Sequence, residues 1–261
     1  MAIKRDDYHE FITKIDQKLG VDLQLYKETQ MKRRLQTLKD KRGYQSFDSY
    51  YNALIRDRVL LEEFMDRVTI NVTEFFRNPE RWEVLQNKFI PALIQNKHRL
   101  SIWSAACSSG EEPYSLAMIM KEYFPSIQVH ITATDLDQKI LSVAKKGKFS
   151  ESSLKSLPGH FRKKYFTEVD GTYVIDPSLK RNIEFKQHNL LADPYPKGFD
   201  LIVCRNVLIY FTEVAKKEIY LNFSKSLRND GILFVGSTEQ IFNPSQYNLQ
   251  LAETFFYCKK D

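Results

Sequence analysis

The amino-acid sequence predicts an α/β protein: a mostly parallel, doubly wound sheet, a small all-helical amino-terminal domain and an inserted antiparallel β subdomain. Three observations predict it. From about Leu100 onward, short β-rich runs alternate with amphipathic helical stretches, the grammar of βαβ units. Before that, roughly the first sixty residues show helical spacing and no strand-like alternation. Between Gly147 and Arg181 the βαβ rhythm breaks and a hairpin signal appears. These changes of texture set expected domains at 1–65 and 66–261, with the insertion at about 147–182.

The elements follow in chain order. Tyr8, Phe11, Ile12 and Ile15 recur at helical spacing. Met31, Leu35 and Leu38 form the apolar stripe of a later helix, with Lys32 and Lys39 on one flank, Arg34 and Lys41 on the other, and Gly43 as its stop. The α/β part is expected to run as a strand over 100–103, a helix over 111–124, a strand over 129–135 and a helix near 138–145. In the insertion, Tyr165, Phe166, the turn Asp170-Gly171 and the alternating 172–175 predict an antiparallel hairpin. Strands over 183–187 and 199–204, a helix over 213–227, the turn Asn229-Asp230-Gly231, a strand over 232–236 and a last strand over 254–258 complete the pattern.

A chain of 261 residues, 43% of them hydrophobic, can bury a full core. Cys107, Cys204 and Cys258 are scattered without metal-ligand spacing, and the five histidines do not cluster with them, so neither a disulfide framework nor a metal site is indicated. No secretory signal opens the sequence and no run of eighteen apolar residues occurs, which predicts a cytoplasmic chain without membrane insertion. A net charge of +6 points to an acidic partner, which nucleic acid, a membrane surface or a carboxylate-rich protein could each satisfy.

A ligand site is expected where the first strand runs into Ser104-Ala105-Ala106-Cys107-Ser108-Ser109-Gly110-Glu111-Glu112-Pro113. Small residues there let a ligand approach the backbone at the carboxyl end of a strand. The second strand ends in Asp135, about twenty-five residues on, where a carboxylate can accept both ribose hydroxyls of a nucleoside cofactor or cap the next helix. A dinucleotide is disfavoured, because the loop lacks G-x-G-x-x-G and paired Glu111 and Glu112 would repel a diphosphate. The same carboxylates suit the cationic amino group or sulfonium of S-adenosylmethionine.

Three further strings carry a family resemblance: Asn71-Val72-Thr73-Glu74-Phe75-Phe76-Arg77, Gly110-Glu111-Glu112-Pro113-Tyr114-Ser115 and Cys204-Arg205-Asn206-Val207-Leu208-Ile209-Tyr210-Phe211. With Asp135 and His188-Asn189-Leu190-Leu191 in the same order, the chain resembles the chemotaxis receptor methyltransferases of the CheR type over nearly its whole length. The resemblance implies a Rossmann-like methyltransferase sheet that binds S-adenosyl-L-methionine, releases S-adenosyl-L-homocysteine, and methylates glutamate side chains on the cytoplasmic signalling helices of methyl-accepting chemotaxis receptors. It implies cofactor contacts from Asn71, Thr73, Arg77, one of Glu111 and Glu112, Asp135, Asn189 with Leu190, and Arg205 with Asn206. Phe75 and Phe76 are expected in the core.

A glutamate nucleophile is ionised at neutral pH, with a reference pKa of about 4.3, so the reaction needs positioning and no general base. Arg77 and Tyr210 are the candidates to hold it, with orientation of the cofactor as the alternative role of Arg77. The basic helix with Lys32, Arg33 and Arg34 would dock the acidic receptor helix, bringing a cytoplasmic monomer to membrane-bound receptors. The stretch 167–185 is shorter than in relatives whose inserted subdomain grips a receptor carboxyl-terminal peptide. Nucleic acid is not expected as substrate: Asp193-Pro194-Tyr195-Pro196 is similar to a tetrapeptide of amino-group methylases, but it precedes the strand ending at Cys204 and reads as a turn.

Overall fold

The computed structural model describes residues 7–260; residues 1–6, part of the amino-terminal stretch read above, lie outside them. The chain forms two units, one helical, built on residues up to Ile70 with Leu191–Asp193 and Ile209–Ile219, and one built on the sheet, from the remainder.

The helical unit contains α1 (Asp7–Leu19), α2 (Glu28–Lys41), α3 (Phe47–Leu54) and α4 (Arg58–Thr69). Two of these helices are capped by side chains at their starts: Ser46 and Ser49 form a capping box on α3, and Asp57 accepts the N–H groups of Val59 and Leu60 on α4. Gly43, at φ 79°, lies just past the end of α2, the left-handed position that glycine fills without strain. The expected stripe is buried, as are Tyr8, Phe11, Ile12 and Ile15, with the Phe11 ring packed on Phe47, Tyr50 and Phe64 at 5.0–6.0 Å. Lys39 differs from its place on a polar flank. It is buried, its ammonium donating to Asp40 at 2.7 Å and to the Tyr44 carbonyl at 2.9 Å, because the turn after α2 folds back over it. A segment from late in the chain completes the unit. Lys27 N–H donates to the Tyr210 carbonyl and Thr212 N–H to the Leu25 carbonyl, both at 2.8 Å, with the Tyr26 and Phe211 rings edge to face at 5.0 Å.

The sheet unit opens with α5 (Pro79–Val84), a π turn at Leu85–Phe89 and α6 (Ile90–Leu93). There follow β1 (Arg99–Ala105), α7 (Glu111–Tyr123), β2 (Gln128–Asp135), α8 (Gln138–Lys146), β3 (Lys148–Phe149), α9 (Gly159–Tyr165), β4 (Phe166–Val169), β5 (Thr172–Ile175), α10 (Pro177–Lys180) and β6 (Ile183–Gln187). Then come β7 (Phe199–Cys204), α11 (Glu213–Ser226), which passes from one unit into the other, β8 (Leu227–Val235), β9 (Leu249–Glu253) and β10 (Phe256–Lys259).

Among the described residues, seven strands form one sheet in the order β6-β2-β1-β7-β8-β10-β9. The first five run parallel, and β10 is antiparallel to both of its neighbours. All six residues of β7 are buried, as a central parallel strand covered on both faces requires. The insertion forms a separate antiparallel sheet, β3-β5-β4, turned at Asp170 and Gly171, both at positive φ as a two-residue hairpin turn demands.

Two details differ from the sequence reading. Strand β8 begins at Leu227 and takes the expected turn into itself as an irregularity, with Asp230 at φ 60° and a register shift against β7. Strand β9 was not foreseen: it is an edge strand whose middle three residues are exposed, so it lacks an apolar pattern. The parallel strands bring the ends of β1, β2, β6 and β7 to one edge of the sheet, the crevice where doubly wound sheets bind ligands.

Candidate functional site

The loop after β1 winds tightly. Ala106, Ser108 and Gly110 lie at φ 59°, 49° and 98°, and left-handed alanine and serine persist only where the surroundings hold them. Two ties do so: Cys107 N–H donates to the Thr134 carbonyl, and Ser108 N–H to the Asp135 carboxylate, both at 2.8 Å. At Gly110 a Cβ would stand 3.1 Å from that of Ala144 and 3.2 Å from the Tyr114 ring, so glycine lets α7 close on α8.

Asp135 is buried at the end of β2, and its second carboxylate oxygen accepts the Asp137 N–H at 3.0 Å. Burial pushes its pKa up to about 6, against the pull of these N–H groups. It does not cap the next helix; Asp137 does, accepting the N–H groups of Lys139 and Ile140. Asn71 reaches the same corner, its amide donating to Asp137 at 3.0 Å and its oxygen accepting from Ser108 Oγ at 3.2 Å. Thr73 lies in the same irregular stretch, partly exposed.

The two glutamates at the start of α7 diverge. Glu111 accepts from Ser109 Oγ at 2.6 Å, and burial raises its pKa. Glu112 accepts from Ser104 Oγ at 2.7 Å, at the end of β1, and shares the electrostatic field of Arg205 and Glu239. Burial lifts its pKa to about 7, while Arg205 pulls it down.

Arg205 is buried over the Phe234 ring at 4.7 Å and the Trp82 ring at 5.6 Å. It donates to the Arg77 carbonyl at 2.9 Å and to Asn78 Oδ1 at 3.0 Å, so it ties the Asn71–Arg77 string to the end of β7. Its Nε is enclosed without a hydrogen-bond partner. Arg77 is partly exposed, and its guanidinium reaches the Val72 carbonyl at 3.4 Å. Phe75 and Phe76 are buried, against Phe149 and Phe166 for one and Trp82 and Phe161 for the other.

Asn189 and Leu190 follow β6 and are buried at the same edge. Tyr195 donates to the Leu190 carbonyl at 2.8 Å and packs edge-on against Trp103 and His188, so the Asp193-Pro194-Tyr195-Pro196 string supplies packing behind this loop. Asn206 sits at φ 63° with its N–H on Glu239. Glu239 is the residue that reading the sequence missed; a lone glutamate after an apolar strand looks like loop polarity, and only its burial marks it.

Tyr210 and the three cations of α2 belong to the helical unit. Arg34 lies over the Tyr210 ring at 5.6 Å and is partly buried; burial lowers its pKa, and Tyr210 works against that. Lys32 stands over the Tyr8 ring at 5.2 Å, and Arg33 is exposed. The structure therefore gathers Asn71, Thr73, Arg77, both glutamates, Asp135, Asn189, Leu190, Arg205 and Asn206 in the sheet unit, and Arg34 with Tyr210 in the helical one.

This donor set fits a nucleoside carrying a positive charge: buried carboxylates outnumber buried arginine here, and a small-residue loop permits close approach. The comparisons agree. The family model for the CheR methyltransferase SAM-binding domain matches residues 71–256, and that for the CheR methyltransferase all-alpha domain matches residues 6–69. A chemotaxis protein methyltransferase of Listeria monocytogenes is 47% identical over 254 residues, covering 97% of each chain. One from Borreliella burgdorferi is 34% identical, covering 92% of this chain and 89% of its own. Chemotaxis protein methyltransferase 1 of Pseudomonas aeruginosa is 33% identical, covering 95% and 96%. Matched in both of its domains and aligned end to end with such relatives, the chain belongs to the CheR methyltransferase family, with S-adenosylmethionine as its cofactor.

Proposed function

We propose that the protein transfers the methyl group of S-adenosylmethionine to glutamate side-chain carboxylates of chemotaxis receptors, forming methyl esters. The observation that carries this reading is the division of charge among the residues gathered above: carboxylates suited to a cationic cofactor, and an arginine suited to an anionic substrate. The cofactor supplies an electrophilic methyl group on a sulfonium. Asp135 accepts from the ribose hydroxyls, Asn189 and Leu190 flank the adenine, and Asn71, Thr73, Arg205 and Asn206 line the remainder. Of the two glutamates, Glu112 is the one that faces the cofactor cation, because it lies beside Ser104 and Arg205 at the strand ends while Glu111 turns to Ser109.

The substrate carboxylate arrives ionised, so the protein's work is to hold it in line and to exclude water. Arg77, partly exposed beside this set, and Tyr210, four residues beyond Asn206 in the chain, orient it. The helical domain, 1–65 in this reading, docks the receptor's acidic cytoplasmic helices through Lys32, Arg33 and Arg34; the remainder, 66–261 with its insertion at about 147–182, carries the chemistry. Among the described residues no helix is long and apolar enough to cross a membrane. The protein acts as a monomer from the cytoplasmic side of membrane-bound receptors.

Methyl-labelled S-adenosylmethionine, incubated with the protein and receptor-rich membranes, is expected to place base-labile label on receptor protein, with an Asp135→Ala variant losing at least tenfold in rate. Label in nucleic acid, or cofactor binding without transfer to protein, would reject the reading.

A further inference from the structure

We propose that Glu239, which has no part in the assignments above, is the positioning residue of the cofactor loop after β7. The proposal rests on the reading that Arg205 and Asn206 contact the cofactor. Beyond Val235 the chain turns at Gly236, closed by the Glu239 N–H on the Gly236 carbonyl at 3.0 Å, and returns Glu239 to the interior with 4% of its surface exposed. Its carboxylate accepts backbone N–H groups from both loops: Asn206 at 2.7 Å and Gly236 at 2.8 Å on one oxygen, Leu208 at 2.6 Å on the other. Bonds from N–H to an ionised acceptor are short and roughly twice as strong as neutral ones, and three of them on one carboxylate set the direction of the chain.

Asn206 is where such a hold acts. Its left-handed backbone, which asparagine adopts more readily than most residues other than glycine, turns the chain between the buried Arg205 and the buried Leu208. Glu239 fixes the amide at that turn and the amide two residues on. Gly236 makes the arrangement possible: a Cβ there would collide with the Glu239 carboxylate and come within 2.8 Å of the Asn206 nitrogen. The charge is matched as well, since Arg205, on the same loop, interacts with both Glu239 and Glu112 and passes the constraint to the Arg77 carbonyl. A tether needing only bulk would be served as well by buried apolar groups; a buried carboxylate specifies orientation.

The test is calorimetric titration of S-adenosylhomocysteine into full-length wild type, Glu239→Gln, Gly236→Ala and Asn206→Ala. Glu239→Gln removes the charge and Gly236→Ala displaces it, so both are expected to raise Kd tenfold or more, with an unchanged far-UV spectrum and a receptor KM within twofold of wild type. A Kd within twofold of wild type in either folded variant overturns the positioning role. Asn206→Ala separates the two levels: weaker binding there with normal binding by Glu239→Gln removes only the role of Glu239, while normal binding by Asn206→Ala removes the cofactor-loop reading itself. Should the variants not fold, hydrogen exchange on the wild type decides. Protected Asn206 and Leu208 amides in cofactor-free protein support the proposal, and exchange at unstructured rates overturns it.

Discussion

Asp135 and Glu112 are carboxyls that burial holds near neutrality, at about 6 and about 7. A carboxyl whose pKa is raised on folding keeps its proton longer in the folded state, so its contribution to stability falls as pH rises from the unfolded value of about 4 through the folded one. Binding of a cation has the opposite preference, since it favours the ionised forms. Arg205 and Glu239 face Glu112, and Asp137 faces Asp135, without reversing either direction. S-adenosylmethionine should therefore bind about tenfold more tightly at pH 8 than at pH 6, with release of a proton, and S-adenosylhomocysteine, which lacks the sulfonium charge, should show a smaller change. Calorimetry at both pH values, in two buffers of different ionisation heat, measures affinity and proton count together. A flat profile would mean that these carboxyls are already ionised at pH 6.

At the scale of elements, α2 carries two kinds of cation. The antiparallel bridge between Leu25–Lys27 and Tyr210–Thr212 leads directly into α2, which places Arg34 over Tyr210. Arg33, exposed on the same helix, has no such engagement with the ring. Replacing Arg33 by alanine is thus expected to raise receptor KM several-fold and leave kcat alone. For Arg34→Gln the expected loss is in kcat, about tenfold, and it should disappear in a Tyr210→Ala background, which removes the ring, since two residues acting through one interaction are not additive. Multiplicative losses in the double variant would instead assign Arg34 to docking alone.

For the molecule as a whole, the net charge of +6 bears on association with an acidic partner more than on the fold. Exposed charges separated by more than about 8 Å are screened at physiological ionic strength, whereas the buried set around Arg205 is shielded from salt. Raising salt from 50 to 500 mM, about a threefold shortening of the screening length, should lower receptor methylation by an order of magnitude or more through KM. S-adenosylhomocysteine affinity over the same range should change less than threefold. Methylation that ignores salt would remove the basic helix from substrate recognition.

Much of this was legible in the sequence, because the signals are local. Helical spacing of Tyr8, Phe11, Ile12 and Ile15, the apolar run of β7, the small-residue loop before Glu111 and the turn at Asp170-Gly171 each depend on neighbours a few positions away. The motif strings then named cofactor and family with no structure needed. What tertiary structure alone decided are the pairings of residues far apart in the chain: Glu239 with Asn206, Arg205 with the Arg77 carbonyl, and Arg34 with Tyr210. It also decided that Glu112 and not Glu111 shares the field of Arg205. Both are acidic residues in the first turn of one helix, and sequence spacing treats them alike. They are told apart by which of them turns to Ser104 at the end of β1 and which to Ser109 in the loop.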